Sequence, residues 1–437
     1  MAPRAPDRAV NWAGNIEFSA SQRHRPRTVG ELQDLVANGT RMHALGAGHS
    51  FSAVADSPGA LVSLADIPPV ITVDAGRGEV TVSAGVRYGE LAQHLHAAEL
   101  ALPALASLPH ISVAGACATG THGSGDTVGN LATAVRALTM VTADGDLTVL
   151  HRSSDAAIFR GAVVGLGALG IVTELALDVI PTFDVRQYVY QDLPASVLTS
   201  RFEEIFASAY SVSVFTDWQG ASHDQLWLKC RTDQPDRWKP AQRWMGATLA
   251  DAPVHPVPGM PASSCTAQLG VPGPWFERLP HFRLDFTPSS GDELQSEYLI
   301  PREFATQALE LIASLSARLA PVLQISEIRT VAPDDLWLSP SYQRPTVALH
   351  FTWIKDTHAV APVIVAIEEK LAPLHARPHW GKLFATPPAT IDALYERIAD
   401  FQALLRRFDP GGKFRNDFID RYFPASRPDA ADPVGED

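Results

Sequence analysis

The sequence predicts a two-domain α+β protein, and three observations carry that expectation. At 437 residues the chain is longer than one hydrophobic core ordinarily serves. Its first 181 residues interleave short strand-like and helix-like segments, whereas the part that follows places several strands ahead of its helices. In the middle of the first part lies a stretch almost without large side chains, residues 107–129, reading SLPHISVAGACATGTHGSGDTVG.

Each element has its own signal. Residues 28–38 read as a helix: Thr28 and Glu31 form a capping box, Leu32, Leu35 and Val36 give an apolar stripe, and Gly39 stops it. Residues 41–45 are a short strand feeding a glycine turn at Gly46. Strands at 70–73 and 79–83 flank the turn Ala75-Gly76-Arg77-Gly78, and strands at 137–142 and 147–150 flank Ala143-Asp144-Gly145-Asp146. Leu91, Leu95, Ala98 and Leu100 mark a helix after Tyr88. Within 171–180, Leu175, Leu177 and Val179 alternate with Glu174, Ala176 and Asp178, and Pro181 closes the segment. The first domain is therefore expected over 1–181.

After Pro181 aromatic residues become denser (Tyr188, Tyr190, Phe215, Trp218, Trp227), and 251–274 is rich in Pro and Gly. Strands are expected at 211–215, 225–231 and 282–286, before a long helix starting at Pro301 that turns Ala305, Ala308, Leu309, Ile312 and Leu315 inward. Strands at 324–331 and 346–354 and a helix at 358–371 complete a second domain, 182–370, with an antiparallel sheet covered by helices. Residues 371–424 are expected to complete the site and return to the first domain, and the Pro/Asp-rich tail 425–437 to be disordered. The stretch 233–253 follows no motif.

Composition narrows the function. A net charge of −13 excludes nucleic acid and anionic membrane surfaces as partners and suits a neutral or cationic small molecule. The longest apolar run, 161–172, has about half the length of a bilayer helix, and the opening MAPRAPDRAV has no apolar core after its arginines. Three cysteines, Cys117, Cys230 and Cys265, have no paired spacing, which fits a reducing compartment, no structural metal and a cytoplasmic location. No broad apolar stripe is left unassigned, so a monomer is expected.

In 107–129, Gly115, Gly120, Gly123, Gly125 and Gly129 are interleaved with Ala114, Ala116, Ala118, Thr119, Thr121 and Ser124. Such a run brings backbone close to a large body and aims N–H groups and hydroxyls at it, as phosphate cradles do. A flexible surface loop is the alternative; Ile111, Val113 and Val128, which a solvated linker does not need, weigh against it. A second small-residue loop, Gly46-Ala47-Gly48-His49-Ser50-Phe51-Ser52, follows the strand at 42–45. It lacks the Gly-Lys-Ser/Thr of a P-loop and the third glycine of a dinucleotide fingerprint, so a Rossmann-type NAD site is not expected.

Three polar patches stand out further on. Along 346–354, Val347, Leu349, Phe351 and Trp353 share one face and His350 and Thr352 project from the other. Along 324–331, Glu327 and Arg329 share a face with Ile325 and Val331. A solvated face with an incidental ion pair accounts for both strands equally well. In the third patch, residues 377–382, Lys382 follows a tryptophan and a glycine on a tight turn; a plain surface lysine is the other reading.

These residues together resemble the vanillyl-alcohol-oxidase type flavoproteins, specifically the sugar-alcohol (alditol, or xylitol) and aldonolactone oxidases. The matching motifs are GAGHS at 46–50, SLPHISVAG at 107–115, ATGTHGSG at 118–125, EIRT at 327–330, HFTW at 350–353, HWGK at 379–382 and DPGGKFRNDF at 409–418. The resemblance runs from Asn11 to Phe418; Ala47 and Cys117 are small residues where near relatives differ.

The resemblance implies an FAD joined covalently to His49. It implies cofactor contacts from Leu45, Gly46, Ala47, Gly48, Ser50, Ser107, Ser112, Gly115, Ala116, Cys117, Ala118, Thr119, Gly120, Thr121, His122, Val172 and Thr352. Outside a family, a histidine in a glycine loop is more often a hydrogen-bonding residue. The activity implied is oxidation of the terminal primary hydroxyl of a polyol such as xylitol or sorbitol, with hydride passing from C1 to flavin N5 and O2 reduced to H2O2. Removing a hydride while the hydroxyl loses its proton builds negative charge on oxygen, which a nearby cation stabilises. Lys382 is then the proton acceptor, Arg329 an oxyanion stabiliser, Glu327 an acceptor for distal hydroxyls, and Ser107 and His350 complete the grip while Thr352 reaches the ring. An aldonolactone oxidase or dehydrogenase of the same fold is the nearest alternative, and a non-catalytic flavin-binding protein is one of another class.

Overall fold

The computed structural model describes residues 9–235, 239–286 and 292–425; the tail expected to be disordered, beyond Ala425, lies outside the described residues. The first helix, Val29–Asn38, begins where its capping residues dictate: Thr28 Oγ1 accepts from the Glu31 N–H at 3.0 Å, and the Glu31 carboxylate accepts from the Arg27 N–H at 2.7 Å. Leu32 and Val36 are fully buried beneath it. The strand Met42–Ala44 then pairs in parallel with Ala60–Val62, which pairs in parallel with Gln22–His24.

A five-stranded antiparallel sheet follows, in the order Ile71–Asp74, Glu79–Ser83, Ile171–Asp178, Val135–Val141, Leu147–His151. The glycine-rich stretch is partly helical, Val113–Ala118, an element that its glycines conceal in the sequence. Three alanines favour that turn. Gly115 leaves the room it needs, because a Cβ there would lie 2.8 Å from Ser112 Oγ.

The second half builds one antiparallel sheet whose central strands run Asp184–Pro194, Ser222–Arg231, Ser211–Thr216, Leu323–Val331, Thr346–Ile354, Glu293–Pro301. Two differences from the sequence reading matter. Residues 282–286 are not a strand; Phe282 makes a single bridge to Cys265, and the strand is Glu293–Pro301, where Leu294, Tyr298 and Ile300 alternate inward. Pro301 ends that strand, and after a 3₁₀ turn over Arg302–Phe304 the helices Ala305–Ala313 and Ser316–Leu319 divide what reads as one helix.

The alternation of the strands separates two faces. Val212, Val214, Leu226, Leu228, Ile328, Leu349, Phe351 and Trp353 pack against helices that include Ala305–Ala313 and Thr357–Leu371. Each such buried side chain contributes on the order of 2 kcal/mol of apolar burial. The opposite face carries polar side chains and meets the glycine-rich stretch. Gly125 N donates to Thr330 O at 2.9 Å, Ala332 N to Val128 O at 3.0 Å, and the Arg302 guanidinium grips both oxygens of Asp126 at 2.5 and 2.9 Å.

The C-terminal stretch packs back into the first core, with Trp380, Ile391, Phe401 and Phe423 fully or almost fully buried among Val164, Leu338 and their neighbours. Asp409 accepts from the Lys413 and Phe414 N–H groups, Lys413 Nζ donates to Ala143 O at 2.6 Å, and Met42 N donates to Lys413 O at 2.9 Å. The DPGGKF turn thus holds the strand that leads into the Gly46 loop.

Candidate active site

A cavity of about 750 Å³ lies between the glycine-rich loops and the polar face of the large sheet. One wall is backbone. None of the N–H groups from Gly46 to Ser50 donates to another group among the described residues, so the loop offers a row of unpaired donors to whatever fills the cavity. Close approach is built in: a Cβ on Gly46 would stand 2.5 Å from Ser112 Oγ, and Gly48 takes φ +70°. These features fit a bulky cofactor with phosphate oxygens, as do the small residues Ala114, Gly115, Ala116 and Ala118 on the same wall.

His49 lies on this wall with its ring centroid 5.0 Å from that of Trp12. Burial, reinforced by the neighbouring His110 and Arg87, pulls its pKa down to about 4, so the imidazole is neutral with a nitrogen lone pair available. Cys117, also on the wall, has its thiol pushed up to about 12 by burial and lies 3.5 Å from the Tyr88 hydroxyl; it acts as a small unreactive filler.

The other wall is a buried charge cluster assembled by strand register. Glu327, His350 and Glu297 are direct cross-strand partners on three adjacent strands. Arg329 pairs with the small Ala348, which leaves its guanidinium room to reach across: Nη2 donates to Glu297 Oε1 at 2.6 Å and Nη1 to Ser107 Oγ at 3.4 Å, while Nε makes no hydrogen bond among the described residues and lies 3.6 Å from Glu327 Oε2. Burial works against the charged form of Glu297, but Lys382, Arg329 and His122 outweigh it and hold the carboxyl well below its usual range. For Glu327, burial is likewise overcome by Arg329 and by the His281 ring, whose Nε2 donates to Oε1 at 2.7 Å.

Lys382 arrives from the HWGK turn. Trp380, fully buried, donates its indole N–H to Leu338 O at 2.7 Å, and the turn is tied to the His49 loop by Phe51 N to Gly381 O and Ser52 Oγ to Trp380 O, both 2.7 Å. Lys382 Nζ then donates to Glu297 Oε2 at 2.7 Å and to His350 Nδ1 at 2.6 Å. Burial lowers the Lys382 pKa, with Glu297 opposing and Arg329 reinforcing. His350, kept neutral chiefly by burial and by Lys382, passes the polarity on by donating from Nε2 to Thr352 Oγ1 at 3.1 Å.

The structure brings nearly all the residues named from sequence onto this one cavity: Leu45 to Ser50, Ser107, Ser112, Gly115 to Thr119, Thr121, His122, Val172, Glu327, Arg329, His350, Thr352 and Lys382. Gly120 is not on the wall. It takes φ +67°, and a Cβ there would meet Pro340 at 3.2 Å, so its glycine serves the turn. Sequence reasoning missed Glu297 and His281. The signal for Glu297 is a carboxylate inside the alternating run LQSEYLIP, which the placement of a strand at 282–286 hides; nothing comparable marks His281. Among the described residues no group of His, Cys, Asp and Glu side chains is arranged to hold a metal ion, and no helix is long and apolar enough to cross a membrane.

Residues 21–151 match the FAD binding domain family and residues 292–422 the D-arabinono-1,4-lactone oxidase family. Alditol oxidase of Streptomyces sp. (strain IKD472 / FERM P-14339) is 53% identical over 413 residues, spanning 94% of this chain and 97% of that protein. The chain belongs to the alditol oxidase family. L-gulono-1,4-lactone dehydrogenase of Mycobacterium tuberculosis is more distant from this family member, 29% identical over 94% of this chain and 98% of its own length. Among solved structures, a solvent-stable cholesterol oxidase superposes with a TM-score of 0.74 at 17% identity, covering 95% of this chain and 97% of that one. A glucooligosaccharide oxidase from Acremonium strictum superposes with a TM-score of 0.72 at 15% identity, covering 95% and 94%. The alditol oxidase family thus shares its fold with a cholesterol oxidase and a glucooligosaccharide oxidase at low sequence identity.

Proposed function

We propose that this chain oxidises the terminal primary hydroxyl of an alditol such as xylitol or sorbitol to the aldose, using FAD attached through His49. The observation that carries the proposal is the meeting of Lys382, Arg329 and Glu297 opposite the glycine cradle in one cavity. FAD, when bound, supplies the hydride acceptor and hands the electrons to O2 to give H2O2.

The chain's own residues handle the proton and the charge. A neutral Lys382 has two N–H groups, which its contacts to Glu297 and His350 occupy, and one lone pair left to take the hydroxyl proton. The ammonium formed is then held by Glu297. Arg329 Nη1, with only a long contact to Ser107, stabilises the charge that develops on the substrate oxygen. Glu327 Oε2 is an acceptor for hydroxyls further along the polyol. The neutral His49 nitrogen suits a covalent bond to the ring, and the histidyl FAD named for the glucooligosaccharide oxidase supports that attachment.

Residues 1–181 bind the cofactor in this reading, 182–370 carry the substrate wall, and 371–424 supply Lys382 and return to the first core. Three cysteines without disulfides support a cytoplasmic enzyme, and we assign it as a monomer. The 29% identity to L-gulono-1,4-lactone dehydrogenase and the lactone-oxidase match over 292–422 make an aldonolactone oxidase or dehydrogenase the second reading. Lys382→Met tests the chemistry: the protein should stay yellow and lose reduction by xylitol. A variant that xylitol still bleaches at the native rate removes Lys382 from the mechanism.

A further inference from the structure

Behind the substrate wall lies a lysine that no contact with the cavity explains. Lys229, on the Ser222–Arg231 strand, is 1% exposed and off the cavity wall. Its Nζ donates to Leu279 O at 2.5 Å, His281 Nδ1 at 3.0 Å and Pro280 O at 3.3 Å. Three acceptors match the three N–H groups of an ammonium, yet no carboxylate touches it. A buried cation paired this way destabilises the fold relative to an apolar side chain of the same volume. Stability therefore does not account for it.

The lysine's contact with His281 has a consequence one bond further on. Because Nδ1 accepts from Lys229, the neutral His281 ring carries its proton on Nε2, where it donates to Glu327 Oε1 at 2.7 Å. Glu327 Oε2 is 3.6 Å from Arg329 Nε, beyond hydrogen-bond length, and Glu327 lines the cavity. Take the lysine away, and His281 Nδ1 loses the donor that its lone pair accepts from, so nothing opposes a proton at that nitrogen. Its Nε2 lone pair then opposes the Glu327 carboxylate.

We propose that Lys229 is a positioning residue for the alditol: acting through His281, it fixes the tautomer that keeps Glu327 ionised and its Oε2 turned to receive the hydroxyls remote from the reacting carbon. The inference rests on the alditol reading and adds to it a determinant of polyol binding.

The relay also responds to pH. The charged and titratable groups facing Lys229 are His281 from the loop at 279–282, Glu327 and Arg329 from the Leu323–Val331 strand, and Cys265; its strand partners Gln187 and Ser211 are neutral. Burial pulls its pKa down to about 7, with Glu327 opposing and Arg329 reinforcing. Loss of that proton weakens the hold on Glu327.

The test is anaerobic flavin bleaching by xylitol, reading the half-saturating concentration and the limiting rate below and above the Lys229 titration, for the intact protein, Lys229→Met and His281→Gln. The intact protein should bind xylitol about tenfold more weakly at the higher pH, the worth of one hydrogen bond to a charged group. Lys229→Met should show the weak value at both pH values, with its limiting rate within about threefold of the parent. His281→Gln, which leaves the lysine in place, should also bind weakly at both, and it decides the matter if Lys229→Met does not fold. Native binding with the native pH dependence in either variant overturns the inference alone. Failure of xylitol to bleach the intact protein at any pH overturns the alditol reading and the inference together.

Discussion

Glu297 Oε2 accepts a hydrogen bond of 2.7 Å from Lys382 Nζ, and the same carboxylate's Oε1 accepts one of 2.6 Å from Arg329. One acid on the Glu293–Pro301 strand therefore joins Arg329, two strands away across Thr346–Ile354, to Lys382 of the HWGK turn. It neutralises charge that the buried wall could not otherwise hold.

Glu297→Gln leaves the buried Arg329 guanidinium without its counterion and Lys382 beside a neutral amide. The expected cost is about 3 kcal/mol of stability, read as a lower melting temperature. Because the ammonium formed on Lys382 loses its counterion, flavin reduction should also slow by about a hundredfold. Rapid-mixing anaerobic reduction measures the second effect, and a native reduction rate in the folded variant would remove Glu297 from the site.

How far the site was legible depended on whether its residues stood in a local pattern. His350 and Thr352 could be placed because Val347, Leu349, Phe351 and Trp353 alternate cleanly around them, and the structure buries those four on the opposite face. Glu297 was lost because the aromatic pair Phe282 and Phe286 resembles a strand more than LQSEYLIP does. The contacts of His281 and Lys229 come from chain segments about 50 residues apart, a distance no periodicity spans. The Val113–Ala118 helix was hidden for a local reason: glycine and alanine serve a close-packed helix and an open loop alike.

His49→Ala should yield a protein that releases its flavin when acid-denatured, whereas the parent should precipitate yellow. Absorbance of the supernatant after acid precipitation reads the difference directly. Flavin that remains with the variant's pellet places the link on another residue.

Gly46→Ala puts a methyl group 2.5 Å from Ser112 Oγ, a contact that forces the loop or the serine to shift. The expected penalty is about 1–3 kcal/mol, seen as a lower flavin-to-protein ratio. Adding Ser112→Ala should restore flavin content, and a double variant as poor as the single one would show that the glycine serves another purpose.

Stability should fall as the solution is acidified. His281 and His379 are buried and have folded pKa values lowered, mainly by burial, from 6.5 to about 4 and about 3. Below pH 6.5 the unfolded chain binds protons that the folded one does not, so stability present above 6.5 is lost progressively down to those folded values. Glu297 and Glu327, held below the usual glutamate value of 4.5 by their cationic neighbours, deepen the fall once the pH drops under it. Melting temperature against pH measures this, and a flat profile from pH 6.5 to 4 would contradict the buried neutral histidines.

The central claim is that this cavity oxidises alditols, and anaerobic mixing of the flavin-loaded protein with xylitol tests it most directly. The account predicts that the yellow absorbance bleaches and returns on admitting air, with H2O2 formed as the aldose appears. A protein that stays yellow with xylitol and sorbitol but bleaches with an aldonolactone would contradict it.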